Sequence, residues 1–127
     1  MKHFICKPCG NLVATVNYTG KKLCCCNREM VELVPNVTDA SAEKHTPSVK
    51  QRGNTVTVYV GEAAGGHPMD KDHSVSWVSL VTDKGNQRKV LNPDEKPEAV
   101  FYIGDDERVV KAFAFCNLHG LWVTECK

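Results

Sequence analysis

Five of the seven cysteines lie in the first 34 residues, and this uneven distribution strongly constrains how the chain folds. The five are Cys6, Cys9, Cys24, Cys25 and Cys26. An odd number of cysteines does not close into a disulfide framework, and no long apolar segment typical of a signal peptide follows the first methionine. We therefore expect a cytoplasmic protein in which clustered cysteines bind metal.

The N-terminal cysteines have the spacing of a small metal module. Cys6 and Cys9 form a CxxC knuckle, and fifteen residues separate Cys9 from Cys25. Residues 11–17 are strand-like and residues 18–21 turn-like, so the segment predicts a hairpin with a tetrahedral sulfur site for iron or zinc. Two adjacent ligands should distort the tetrahedron. The spacing alone does not decide whether Cys24 and Cys25 or Cys25 and Cys26 bind.

Beyond residue 43 the pattern is that of short β-strands separated by turns, with no long helical stripe. The polar residues 35–42 are interpreted as a linker. We therefore predict an all-β chain with a metal module in residues 1–36 and an antiparallel β-sandwich in residues 37–127. The predicted strands cover residues 55–60, 75–81, 88–91, 99–103, 109–115 and 121–126, with a turn at 83–86.

Charge and hydropathy argue against two classes of partner. The formal net charge is +1, which favours neither nucleic acid nor a membrane surface through bulk electrostatics. No apolar run approaches the ~18 residues of a membrane span. We expect no nucleic-acid and no membrane partner.

A second set of metal donors lies in the predicted sandwich. Cys116 ends a predicted strand and His119 lies in the turn after it, whereas His45, His67 and His73 lie in loops. Loops cluster at the ends of a sandwich, so all five side chains are expected to meet there. One sulfur and four imidazoles suit iron better than tetrahedral zinc and leave one octahedral position open. Copper is an alternative, and backbone N–H groups of the 117–119 turn are expected to hydrogen-bond the sulfur.

Taken together, these motifs resemble desulfoferrodoxin, the two-iron form of superoxide reductase, over nearly the whole chain. The motifs are Cys6-x-x-Cys9, Cys25-Cys26, Glu43-Lys44-His45, His67-Pro68-Met69, His73 followed by Trp77, and Cys116-Asn117-Leu118-His119-Gly120. The resemblance implies a desulforedoxin-like, rubredoxin-type metal hairpin followed by a neelaredoxin-like domain with an immunoglobulin-like antiparallel β-sandwich.

The resemblance also implies two non-haem iron ions and assigns their ligands. The first iron would be held by Cys6, Cys9, Cys25 and Cys26, which leaves Cys24 as an extra thiol. The catalytic iron would have four equatorial histidines and one axial cysteine, namely His45, His67, His73, His119 and Cys116. Free thiols at Cys24 and Cys126 and a surface position for His3 are further expectations.

The implied reaction is the one-electron reduction of superoxide to hydrogen peroxide, which detoxifies reactive oxygen. Lys44 would attract the superoxide anion, and Glu43 would occupy the sixth iron position in the oxidised resting state. A small electron donor such as rubredoxin and a homodimer are also implied. The competing interpretations are a non-catalytic iron electron-transfer protein and a superoxide dismutase.

Overall fold

The computed structural model describes residues 1–36 and 45–126. The chain divides into two compact units, Met1–Val34 and Pro35–Lys127. Regular structure in the described residues is almost entirely β, so the predicted all-β fold class is confirmed. Within those residues no helix combines the length and apolar character needed to cross a membrane.

The N-terminal unit is built from five very short strands. They are β1 (His3–Ile5), β2 (Leu12–Ala14), β3 (Cys24–Cys25), β4 (Arg28–Glu29) and β5 (Val31–Glu32). One sheet has the order β2-β1-β5, and β3 pairs with β4 in a separate hairpin. The small core contains Phe4, Cys6 and Met30. The prediction that His3 lies on the surface is wrong, because only 3% of it is exposed.

The second unit is a sandwich of two antiparallel sheets. Its strands are β6 (Pro47–Arg52), β7 (Thr55–Val60), β8 (Val75–Thr82), β9 (Asn86–Val90), β10 (Glu98–Tyr102), β11 (Val109–Cys116) and β12 (Gly120–Glu125). The strand orders of the two sheets are β10-β7-β6 and β12-β11-β8-β9. Alternate residues of the strands point inward, and the buried side chains are mostly valine and alanine with Leu80 and Phe101.

Two features of this unit depart from the sequence prediction. Strand β6 was not anticipated, because Lys50, Gln51 and Arg52 interrupt any apolar alternation on this edge strand. Asn36, assigned to the linker, forms a β-bridge with Trp122 of β12. The remainder of the predicted linker, residues 37–42, lies outside the described residues.

The strand register gathers the ends of four strands beside one another. Pro47 at the start of β6 is opposite Val60 at the end of β7, and Val75 at the start of β8 is opposite Cys116 at the end of β11. The segments before β6 and β8 and after β7 and β11 carry the four histidines predicted as ligands. Register therefore delivers the predicted donors to one end of the sandwich.

Candidate metal centres

The first cluster of donors consists of four cysteine sulfurs in the N-terminal unit. The sulfurs of Cys6, Cys9, Cys25 and Cys26 all lie within 4.8 Å of one another. Cys6 is buried, whereas Cys9 and Cys26 are exposed. The cluster is thus anchored in the small core on one side and open to solvent on the other.

The backbone explains how two adjacent cysteines join one cluster. Cys26 and Asn27 have φ of 54° and 57°, in the left-handed region. They occupy the two central positions of the turn that joins Cys25 to Arg28, as in a type I′ hairpin turn. The reversal turns Cys25 and Cys26 toward the same sulfurs. Cys24, one residue earlier in β3, is exposed and outside the cluster.

The protonation behaviour of the sulfurs fits a cation among them. The backbone N–H of Asn11 and the Cys6 thiol donate to the Cys9 sulfur and lower the pKa of Cys9 to about 7. Hydrogen bonding with Cys9 and Cys6 raises the pKa of Cys26 to about 12. Four crowded thiolates repel one another, and a bound metal ion removes that obstacle to ionisation. The donor chemistry therefore suits iron or zinc.

The second cluster brings together donors from three separate stretches of the sandwich unit. One ligand atom from each of His45, His73, Cys116 and His119 lies within 4.8 Å of the others. His45 Nε2 is 3.0 Å from His119 Nδ1, and the Cys116 sulfur is 3.8 Å from the same His119 atom. Lone pairs this close need either a shared proton or a shared cation.

His67 lies at the edge of this cluster, and its neutral ring offers a lone pair to a metal. Its ring centroid is 4.7 Å from that of His45 and 4.8 Å from that of His73. The His67 Nδ1–H donates a hydrogen bond to the Pro68 carbonyl oxygen, 2.6 Å away. Burial lowers the pKa of His67 to about 4. The ring is therefore neutral at pH 7, with the lone pair on Nε2.

Two ring nitrogens of the cluster lack any partner. In the part of the chain that the structure describes, His67 Nε2 and His73 Nε2 are the buried side-chain nitrogens or oxygens without a hydrogen bond. Each buried unsatisfied polar atom costs about 1–3 kcal/mol. A metal ion that accepts both lone pairs removes this cost, so the residues present fit a metal.

The cluster is closed by protein on one side and reached by solvent on the other. His45, His67 and Cys116 are buried, whereas His73 is half-buried and His119 exposed. Among these described residues, His119 is therefore the one most open to solvent. Glu43 and Lys44, predicted beside the site, lie outside the described residues.

The structure adds supporting residues that the sequence did not single out. Trp122 stacks on His45 with ring centroids 4.7 Å apart, and its indole N–H donates to the His119 carbonyl oxygen at 3.3 Å. The Asn117 N–H, expected near the cysteine sulfur, instead donates to the Ser74 carbonyl oxygen at 3.1 Å. Trp122 carried only the signal of an apolar position in a predicted strand. Hydrogen-bond partners of this kind have no sequence pattern.

Comparisons with known proteins agree with this arrangement. A family model described as Desulfoferrodoxin matches residues 37–125. The chain is 38% identical over 122 residues to a desulfoferrodoxin homolog of Archaeoglobus fulgidus, covering 96% of this chain and 94% of that protein. The chain belongs to the desulfoferrodoxin family.

Solved structures extend the similarity beyond sequence. The superoxide reductase from Treponema pallidum has a TM-score of 0.80 and 33% identity, covering 98% of this chain and 96% of that one. A superoxide reductase (1Fe-SOR) from Giardia intestinalis has a TM-score of 0.56 and 32% identity, covering 66% of this chain and 97% of that one. The two donor clusters match the two non-haem iron ions predicted for this desulfoferrodoxin-family chain.

Proposed function

We propose that this chain is a superoxide reductase, an oxidoreductase that converts superoxide to hydrogen peroxide. The observation that carries the proposal is the convergence of four imidazoles and one thiol at one end of the sandwich, with two unpartnered nitrogens among them. The similarity to superoxide reductases over nearly the whole chain supports the same reaction.

We assign His45, His67, His73, His119 and Cys116 as ligands of the catalytic iron, and Cys6, Cys9, Cys25 and Cys26 as ligands of the second iron. The distances within each cluster support this assignment. We also propose that residues 1–36 form the four-cysteine domain and residues 37–127 the reductase domain, close to the division into compact units.

The side chains around the catalytic centre divide the chemical tasks. Superoxide takes up one electron and two protons to become hydrogen peroxide, and an iron ion held by the four histidines and Cys116 would supply the electron. His67 stays neutral because burial lowers its pKa to about 4. The hydrogen bond to the Pro68 carbonyl keeps its one proton on Nδ1, so the lone pair on Nε2 is available to a metal at pH 7. The exposed edge at His119 admits superoxide and water, and that water delivers the protons.

Substituting the buried cysteine tests the proposed function. Cys116→Ser removes the sulfur from the histidine cluster, so the absorption of the thiolate–iron bond should disappear and superoxide reduction should fall by at least about 100-fold. Metal analysis and anaerobic stopped-flow mixing with superoxide measure both effects. The double variant Cys25→Ser/Cys26→Ser is the matched control, because it removes sulfurs from the other cluster. A Cys116→Ser variant with unchanged absorption and rate would exclude the proposal.

Lys44 is proposed to attract superoxide, and Glu43 to bind iron in the oxidised resting state. A net charge of +1 is too small to steer an anion, so a local cation is needed. Lys44→Ala should slow the bimolecular step by about tenfold at low salt and weaken its salt dependence. Lys84→Ala makes the same charge change in the turn after β8, at the opposite end of that strand from His73. Equal rates for both variants would refute steering by Lys44.

The remaining assignments concern partners and location. We propose a small electron donor such as rubredoxin, a homodimer, and a cytoplasmic location in which the described cysteines form no disulfide. We propose that the four-cysteine iron is accessory. The Giardia intestinalis superoxide reductase (1Fe-SOR) is matched over 97% of its own length by only 66% of this chain, which supports a reductase that works without the rest. Oxygen release in proportion to peroxide, without a supplied reductant, would identify a dismutase instead.

A further inference from the structure

We infer that Asn117 is a positioning residue that holds the His73 segment against Cys116. This inference rests on the proposed iron site. The Asn117 side chain accepts the Ser74 N–H at 3.0 Å and donates to the Asp72 carbonyl oxygen at 2.9 Å. Its own N–H donates to the Ser74 carbonyl oxygen at 3.1 Å. These hydrogen bonds bracket His73 on both sides.

The strand ladder does not fix this segment by itself. The pairing of β8 with β11 is regular at Phe115 and Trp77, but it shifts before Cys116, which pairs with Val75. A bulge of this kind leaves local freedom in where the chain beyond it lies. The hydrogen bonds of Asn117 fix the segment after β11 to the segment before β8, immediately past the bulge.

The local turn around His73 supplies no substitute for this connection. Among the described residues, the backbone groups of His73 bond only to Asp70, at 2.9 and 3.2 Å. Any attachment of His73 to the opposite strand therefore comes through its neighbours in sequence. Asn117 provides one from the residue next to Cys116 and two residues from His119. Three of the five proposed ligands are thereby tied together.

The interaction requires the two functions of an amide. Asparagine offers one acceptor and two donor hydrogens on a short side chain. Aspartate keeps the acceptor for Ser74 N–H but places a negative oxygen against the Asp72 carbonyl oxygen. Alanine loses both contacts. The number of side-chain hydrogen bonds therefore falls from two in asparagine to one in aspartate and none in alanine.

The test measures iron retention in the full-length, two-iron protein. Purified, oxidised wild type, Asn117→Asp and Asn117→Ala are mixed with a ferric chelator, and loss of each iron is followed by its own visible absorption. Loss of an outer partner of a metal ligand typically costs 10–100-fold in affinity, so Asn117→Ala should release the histidine–cysteine iron at least about tenfold faster. Asn117→Asp loses the contact to the Asp72 carbonyl oxygen and adds a repulsion there, so it should also release this iron faster than wild type. The four-cysteine iron should be unaffected.

Asn54→Ala separates positioning from general stability. The Asn54 side chain also donates two hydrogen bonds, to the Ile103 carbonyl oxygen and to Asp105, both at 2.8 Å, but it lies in the turn at the end of β6 away from His45. It should lower the melting temperature while leaving iron release within about threefold of wild type, well below the change expected for a metal-ligand partner.

The outcomes distinguish this inference from the proposed function. If Asn117→Ala does not fold, faster release from Asn117→Asp than from Asn54→Ala supports the inference. Release from the Asn117 variants no faster than from wild type, or a parallel loss in Asn54→Ala, would overturn it. Wild-type protein that binds no iron at the histidine–cysteine cluster would instead refute the proposed function.

Discussion

Replacing Trp122 with phenylalanine should both destabilise the sandwich and loosen the histidine–cysteine cluster. Trp122 is 1% exposed, stacks on His45 with an interplanar angle of 12°, and donates its indole N–H to the His119 carbonyl oxygen. Phenylalanine keeps one aromatic ring over His45 but loses this hydrogen bond and leaves space where the second ring was. The change therefore acts on two proposed ligands at once.

The expected size follows from these two losses. The hydrogen bond contributes about 1 kcal/mol, and the partly filled space adds about 1–2 kcal/mol. A loss of about 2–3 kcal/mol lowers the melting temperature by about 10–20 °C for a domain of this size. Far-UV circular dichroism of the iron-loaded protein measures the transition, and chelator-induced iron release should accelerate in the same variant.

Trp77→Phe provides the matched control for the same chemical change. Trp77 is half-buried and stacks on Phe115, with ring centroids 5.6 Å apart. Trp77→Phe keeps an aromatic stack outside the histidine–cysteine cluster, so the free energy of unfolding should fall by about 1 kcal/mol or less. If Trp122→Phe lowered the melting temperature no more than Trp77→Phe, the structural role argued for Trp122 would be wrong.

Three further perturbations test other parts of the structure. The Gly104 N–H and the Thr82 hydroxyl donate to the Glu107 carboxylate and lower its pKa. The stability that this carboxylate contributes is present above pH 4.5 and is lost as pH falls through the lowered pKa. The difference in melting temperature between wild type and Glu107→Gln should therefore shrink in acid, and a difference that stays constant with pH contradicts this. The Asn11 side-chain N–H donates to the Cys25 sulfur at 3.5 Å, and such donation favours the more negative reduced state of the site. Asn11→Leu should therefore lower the reduction potential of the four-cysteine iron by on the order of 50 mV in a redox titration. An unchanged potential would show that this hydrogen bond does not tune the iron. Cys9→Ser should abolish protection from amide hydrogen exchange in Met1–Val34, because the small N-terminal core needs its metal to fold. The sandwich should keep its protection. Retained protection in Met1–Val34 would argue against a metal-dependent unit.

The strands that sequence predicted well are those with one buried face. Residues 55–60 alternate threonine or tyrosine with valine, and β7 has the same bounds as the prediction. Alternation reports burial directly, because successive side chains of a strand point to opposite faces. Strand β6 has no such signal, since half of its residues are exposed and the pairing with β7 sets its position. Long-range pairing of this kind is not written in local sequence.

The candidate sites show the same division between pattern and geometry. Donor identity and rough location followed from the spacing of cysteines and histidines, as for Cys116 at the end of β11. Spacing left the choice between Cys24 and Cys26 open, and resemblance selected Cys26. The physical reason becomes visible only in the left-handed backbone at Cys26, which no composition rule encodes. The burial of His3 also depends on packing within the N-terminal unit.

The histidine–cysteine cluster stores a cost in the fold that a metal ion relieves. His67 Nε2 and His73 Nε2 are buried without partners, which costs about 2–6 kcal/mol for the pair. That cost is comparable with much of the stability of a small domain. The sandwich core and the contacts of Trp122 and Asn117 must therefore hold these imidazoles in place before metal arrives. A scaffold that relaxed to satisfy the two nitrogens internally would be more stable without iron and would bind it less tightly.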